Sequence, residues 1–173
     1  MKEKLLRVAF SLLIIAFTVW TDQATKALAV QHLQNKPAVQ VVGNMFILTY
    51  AENTGAFLSL GKNWPAPAKA VFFISLPLLA LVGLGWMIVR SKSKSPLGWI
   101  ALSMFIGGGI GNLIDRLANQ GVVVDFMNFG IGPLRTGVLN FADLYLTAGA
   151  IMLFFVSGDD RKKTVSAPAT NQQ

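Results

Sequence analysis

Cysteine is absent and histidine occurs once, at His32. The first absence removes disulfides, thiolate zinc sites, iron–sulfur clusters and a cysteine nucleophile together. A single imidazole also makes a multi-histidine metal site or a Ser-His-Asp triad hard to build, and His32 itself reads as a solvated side chain in a loop. Charge is scarce: 13% of the 173 residues are Asp, Glu, Lys or Arg, against about 25% in a typical soluble domain. Acids are the scarcest, eight against fifteen Lys and Arg. The resulting net charge of +7 and pI near 10.0 would suggest nucleic acid only if the basic residues formed one face. They do not.

What the chain has in abundance is apolar sequence: 53% hydrophobic residues and a mean hydropathy of +0.54. Four long stretches stand out, Leu5–Trp20 (with a helix continuing to about Val30, broken by Asp22 and Lys26), Ala70–Val89, Leu97–Ile114 and Val138–Val156. A hydrocarbon core of about 30 Å needs roughly 20 helical residues, so each is long enough to cross. The basic residues then give the orientation. Lys2, Lys4 and Arg7 precede the first span, Arg90, Lys92 and Lys94 separate the second from the third, and Arg161, Lys162 and Lys163 follow the fourth. These nine lie on one side of a four-span protein, which the positive-inside rule makes cytoplasmic, with both termini inside. The basic pI is topology, and no nucleic-acid partner is expected. The first stretch also resembles a secretory signal ending near Ala27-Leu28-Ala29. Three further spans, and Asp22 and Lys26 before that triplet, favour a retained anchor.

The expected fold is an all-α membrane protein, four transmembrane helices in one domain over residues 1–157, with a disordered polar cytoplasmic tail over 158–173. Residues 90–96 form a short cytoplasmic turn. The two outer connections are longer and more apolar. Val39–Val42 and Met45–Tyr50 flank Gly43-Asn44 as a hairpin, and Val122–Val124 is a strand-like piece in the second connection. A small periplasmic sheet region and a short extra periplasmic segment are therefore expected.

Apart from Glu3, Asp159 and Asp160, five acids remain, Asp22, Glu52, Asp115, Asp125 and Asp143. All fall near the outer end of a span or in an outer connection. An acid at membrane depth is costly, and several at one depth point to function. Asp143 lies about five residues into the fourth span, roughly 8 Å along it, with Asn140 and Thr147 on its face. It either carries chemistry or glues two helices together. Asp125, between three valines and Phe126, sits where desolvation should raise a carboxyl pKa; alone it could equally be a turn or cap residue. Beside Asp143 the reading changes, because two adjacent carboxylates share a proton and can activate water while protonating a carbonyl. That chemistry needs no metal, cofactor, histidine or cysteine, and it depends on the fold bringing the two together.

The remaining polar groups have quieter readings. Gly107 and Gly111 give a small-residue face for close helix packing; the run lacks the Lys-Ser/Thr of a phosphate loop and follows no strand. Asn112, Asp115 and Arg116 share one helix end as a cap and ion pair or as site residues. Asp22 and Lys26, four apart, make a local ion pair, and Asn53-Thr54-Gly55 is a turn. Two rivals use the same acids. A proton-coupled transporter would spread them across the membrane depth, and a non-catalytic assembly subunit would use them for stability alone.

Five blocks in order, TDQATK from Thr21, ENTGAF from Glu52, GGGIGNLIDR from Gly107, VVDF from Val123 and NFAD from Asn140, resemble the lipoprotein signal peptidase (signal peptidase II) family from Asp22 to about Gly149. The resemblance implies an aspartic endopeptidase of the bacterial inner membrane with Asp125 and Asp143 as its catalytic pair. Asp22, Asn53, Asn112, Arg116 and Asn140 match positions that support the site or hold substrate. The implied partners are membrane lipids and a prolipoprotein whose cysteine carries a diacylglyceryl group, cut just before that cysteine near the periplasmic face. A monomer is expected.

Overall fold

The structure, a computed structural model, describes residues 2–55, 60–90 and 95–165, with backbone alone from 157. Its elements in order are α1 (Lys2–Leu33), β1 (Val39–Val42), β2 (Phe46–Asn53), α2 (Ala66–Ala70), a π-helical turn (Val71–Ser75), α3 (Leu76–Arg90), α4 (Pro96–Ala118), β3 (Val123–Ile131), β4 (Leu134–Arg135) and α5 (Phe141–Val165). Lys2–Leu33, Ala66–Arg90 and Pro96–Ala118 are long and apolar enough to cross a membrane, and Phe141–Val156 is a shorter apolar helix. Their outer faces carry Leu13, Phe17, Trp20, Leu79, Val82 and Phe154, all exposed. A continuous apolar surface of this extent belongs against lipid.

Asp22 and Lys26 do not interrupt α1. They are 0% and 3% exposed, so the charge that looks like a helix break is instead an inward-facing, paired polar layer. His32 falls in the last turn of α1, exposed rather than in a loop. Asn35, at φ 59°, ends the helix beyond it in the left-handed conformation that asparagine tolerates. Pro77 lacks the N–H and its ring crowds the carbonyl four residues back; the π-helical turn at Val71–Ser75 lies directly before it and keeps Ala66–Arg90 continuous.

The sheet is larger than a hairpin and a strand piece. Four antiparallel strands lie in the order β1-β2-β3-β4, so the architecture is helical with a small antiparallel sheet. Val123 and Val124 of the fragment Val122–Val124 start a nine-residue strand, and β2 runs on to Asn53. Ala29 and Leu33 at the end of α1 pack on Val124, Phe126 and Met127, seating the sheet on the bundle. Residues 91–94 of the 90–96 turn, Ala56 and Phe57 of the ENTGAF block, and the tail from 166 lie outside the described residues; α5 itself runs through 157–165.

Helix α4 is central, touching α1, α3 and α5, and its glycines explain how. A Cβ at Gly107 would strike Thr18 of α1, and one at Gly111 the Asp22 carboxylate. At Gly108 it would come 2.5 Å from the Ala142 carbonyl of α5, and at Gly109 2.7 Å from Leu81 of α3. The run is thus a three-sided packing surface, each glycine admitting a different neighbour.

Candidate active site

Strand alternation places Asp125. Val124 and Phe126 turn to α1, while Val123 and Asp125 turn to a cavity of about 540 Å³. Asp125 stands opposite Ala51 of β2, two residues from Asn53. The Asn53 Nδ2 donates to Asp125 Oδ2 at 3.1 Å, while its Oδ1 accepts the Gly55 N–H at 3.0 Å. The turn foreseen at Asn53-Thr54-Gly55 therefore also orients the amide.

Asp143 is held by the start of α5. The helix begins at Phe141, not Val138, because Asn140 caps it: its Oδ1 accepts the Asp143 N–H at 2.9 Å, and Asp143 Oδ2 accepts the Asn140 N–H at 3.2 Å. This reciprocal pair is a capping box, so Asp143 lies in the first turn rather than five residues into a span. Its Oδ1 accepts from Asn112 Nδ2 at 3.0 Å. Asn140, fully buried, also donates through Nδ2 to Asp125 Oδ1 at 2.6 Å and to Asn112 Oδ1 at 3.0 Å. One asparagine thus ties both aspartates, and every carboxylate oxygen of the pair receives one N–H.

Of the expected site residues, Asn53, Asn112, Arg116, Asp125 and Asp143 line the cavity together. Asn140 lies behind them. Asp22 lies a layer deeper, where its Oδ1 accepts the Ala142 N–H at 2.9 Å, so it supports α5 and does not face the cavity. Arg116 donates to the Gly55 carbonyl at 3.0 Å and the Asn112 carbonyl at 3.2 Å, tying the loop after β2 to α4. The other end of the cavity is apolar, walled by Pro77, Leu81, Leu84, Phe105, Leu146 and Ala150.

Three further residues support the site: Lys26, read by sequence as half of a local ion pair, Asp115, left open between cap, ion pair and site residue, and Gln23, which had no reading of its own. Lys26 Nζ contacts Asp22 Oδ2 at 2.8 Å, Asp115 Oδ2 at 3.0 Å and Asn112 Oδ1 at 3.0 Å. Asp115 also accepts the Val124 N–H at 3.0 Å, and Gln23 donates to Asp115 Oδ1 at 2.9 Å. The available signal was the capping-box spacing of Asn140 and Asp143, and an Asp22–Lys26 pair too apolar in its surroundings to be left unneutralised. Among the described residues, no three or more His, Asp or Glu side chains gather as a metal site.

Burial pushes the Asp125 carboxyl up to about 7, helped by the charge of Asp143 and opposed by its hydrogen bonds from Asn53 and Asn140. An unfolded chain ionises this group near its ordinary 3.8. Between the two values the folded state holds the extra proton, so this group's contribution to stability falls as pH rises from about 4 to about 7 and is level above. Melting temperature in detergent should decline across that window, and Asp125→Asn should decline less. Equal slopes would show that Asp125 is not the titrating group.

The signal peptidase (SPase) II family model matches residues 14–157. A lipoprotein signal peptidase of Caldanaerobacter subterraneus subsp. tengcongensis is 36% identical over 146 residues, 84% of this chain and 94% of the relative. One of Borrelia hermsii is 36% identical over 155 residues, 87% and 89% of the two. A solved structure described as a bacterial membrane enzyme superposes with a TM-score of 0.81 at 25% identity, over 94% of this chain and 95% of the other.

Proposed function

The chain belongs to the signal peptidase II family, and on that premise we propose that Asp125 and Asp143 are the catalytic pair with which it removes signal peptides from diacylglyceryl-modified prolipoproteins. It is an aspartic peptidase of a bacterial membrane. The observation that carries the residue assignment is that both carboxylates face one cavity, linked through Asn140, at the polar end of an apolar cleft.

One aspartate is protonated and the other ionised. The ionised one takes a proton from a water that attacks the carbonyl preceding the modified cysteine, and the protonated one donates to the developing oxyanion; the proton taken from water then passes to the cysteine nitrogen as the C–N bond breaks, releasing the signal peptide as a carboxylic acid. The asparagine donors orient both carboxylates and offset the cost of burying charge. Leu81, Leu84, Phe105 and Leu146 supply apolar wall for the diacylglyceryl chains, while the polar end admits water. Arg116, with its carbonyl contacts to Gly55 and Asn112, holds the rim where the peptide passes.

In this reading α5 is the fourth span, the termini and the turn after Arg90 face the cytoplasm of the inner membrane, and the acids lie near the periplasmic face. The segregation of Lys and Arg supports the orientation. Asp22, Asp115, Asp125 and Asp143 gather at one level of the bundle, which is not how a transmembrane proton relay distributes its acids. A monomer suffices in this reading, since the residues of one chain close the polar network around both aspartates by themselves.

The test is incubation of detergent-purified protein with a diacylglyceryl-modified prolipoprotein and with the same precursor unmodified, following product mass. Loss of the signal peptide before the modified cysteine, from the lipidated precursor only, is the expected result. No cleavage of either precursor by folded protein would overturn the reading.

A further inference from the structure

Lys26 is 3% exposed and reaches three acceptors, Asp22 Oδ2, Asp115 Oδ2 and Asn112 Oδ1. An ammonium has three N–H bonds, so each is used. Two of these contacts are what charge neutralisation alone requires. The third is not: Asn112 is neutral, and it already accepts from Asn140 Nδ2 at 3.0 Å. A carbonyl oxygen has two lone pairs, and Lys26 fills the second.

That settles which way the Asn112 amide faces. With both lone pairs of Oδ1 occupied by donors, the NH₂ is left to point at Asp143 Oδ1, 3.0 Å away. The flipped amide would set its NH₂ against the ammonium and the Asn140 NH₂, and its carbonyl against the Asp143 carboxylate. Each is a repulsion between like partners in a water-poor interior, where such mismatches are costly.

We infer that Lys26 is a positioning residue for the peptidase reaction, holding the Asn112 amide in the one orientation that presents a donor to Asp143. The inference rests on the assignment of Asp125 and Asp143 as the catalytic pair. Lys26 touches neither aspartate. Its effect passes through Asn112, and through its charge at a distance.

Removing Lys26 alone strands two buried carboxylates, so the informative variant is Lys26→Met combined with Asp115→Asn. It removes one charge of each sign, so that one buried carboxylate, Asp22, and not two is left without its cation, and it leaves Asn112 Oδ1 held by Asn140 only. The double variant should melt above Lys26→Met alone and below the unmutated protein, keep KM, and lose kcat by about 10- to 100-fold per folded molecule, the usual range for a partner acting through a site ligand. The acidic limb of its pH–rate profile should move to higher pH, because the charge of Lys26 favours the ionised form of Asp125. Asp143 opposes it, and the donors facing that carboxyl, Asn53 and Asn140, remain.

Lys26→Arg keeps the charge and the fold if the double variant does not fold. Its planar fork spans Asp22 and Asp115 but no longer offers a point donor to Asn112, so kcat should again fall at constant KM. Unmutated kcat and an unmoved pH profile in whichever variant folds would show that Lys26 only neutralises its two acids, and would overturn the inference. Asp143→Asn run beside them separates the two failures. If that variant still cleaves, the catalytic pair is wrong; if it is inactive while the Lys26 variants are normal, only the role of Lys26 is wrong.

Discussion

Asp143→Asn is expected to lower the rate of signal-peptide release by about 10⁴-fold or more, the scale seen when one member of a catalytic unit is removed. The asparagine has nearly the same shape, so it keeps the packing of the first turn of α5. It has lost the ability to exchange a proton with water or substrate, which both the base and the acid role require. The surroundings also make it a poor hydrogen-bond match. Both Asp143 oxygens face donors, the Asn140 N–H and the Asn112 NH₂, and the latter cannot flip while Lys26 and Asn140 hold its carbonyl. Either orientation of the introduced amide therefore sets one NH₂ against a donor. A stability loss of about 1–3 kcal/mol follows, visible as a lower melting temperature with a single cooperative transition retained. Product mass under single-turnover conditions is the readout. A variant that kept a tenth of the rate would remove Asp143 from the catalytic pair.

Gly111→Ala should have the largest effect on the fold. The added methyl would collide with the Asp22 carboxylate and come 3.4 Å from Ala142 Cβ. Asp22 is fully buried, and it holds both the Lys26 ammonium and the Ala142 N–H at the start of α5. It has nowhere to move without releasing one of them. Overpacking at a rigid position costs about 1–3 kcal/mol, and disturbing a buried ion pair adds to that. The expected result is a melting temperature well below that of the unmutated protein, and reduced cleavage even in the folded fraction. Gly83→Ala and Gly85→Ala, on α3 where a Cβ meets nothing within 4 Å, should melt no lower than the unmutated chain. If Gly111→Ala behaved like them, α1 and α4 would not be as close as the glycine face makes them.

The two predictions draw on different layers. Asp143 acts at the cavity surface, whereas Gly111 acts on the polar layer beneath it. Asp22, Lys26 and Asp115 connect them: Asp22 binds the Ala142 N–H in the first turn of α5, Asp115 binds the β3 backbone at Val124, and Lys26 joins both to Asn112. The layer fixes the helix that carries Asp143 against the strand that carries Asp125.

Composition and pattern alone determined a good deal. Long uncharged runs have no alternative in water, so α1, α3 and α4 were legible within a few residues. The bunching of the acids at one end of the spans was visible because charge is rare enough in this chain for each acid to need a reason. The apolar neighbours of Asp125 announced its raised pKa, since desolvation is a local effect. The continuity of α1 and the start of α5 were less legible, because Asp22 and Lys26 look like a break until burial pairs them, and Val138–Asn140 look like span until Asn140 caps the helix.

Only the tertiary structure could decide that Asp125 and Asp143 share a cavity, that Asn140 joins them, that Asp22 turns away to hold α5, and that Lys26 belongs to the same network. Each of these is a contact between segments far apart in the chain. Hydropathy and helical spacing report what a residue's near neighbours do to it. They do not report which distant donor fills the second lone pair of a buried carbonyl.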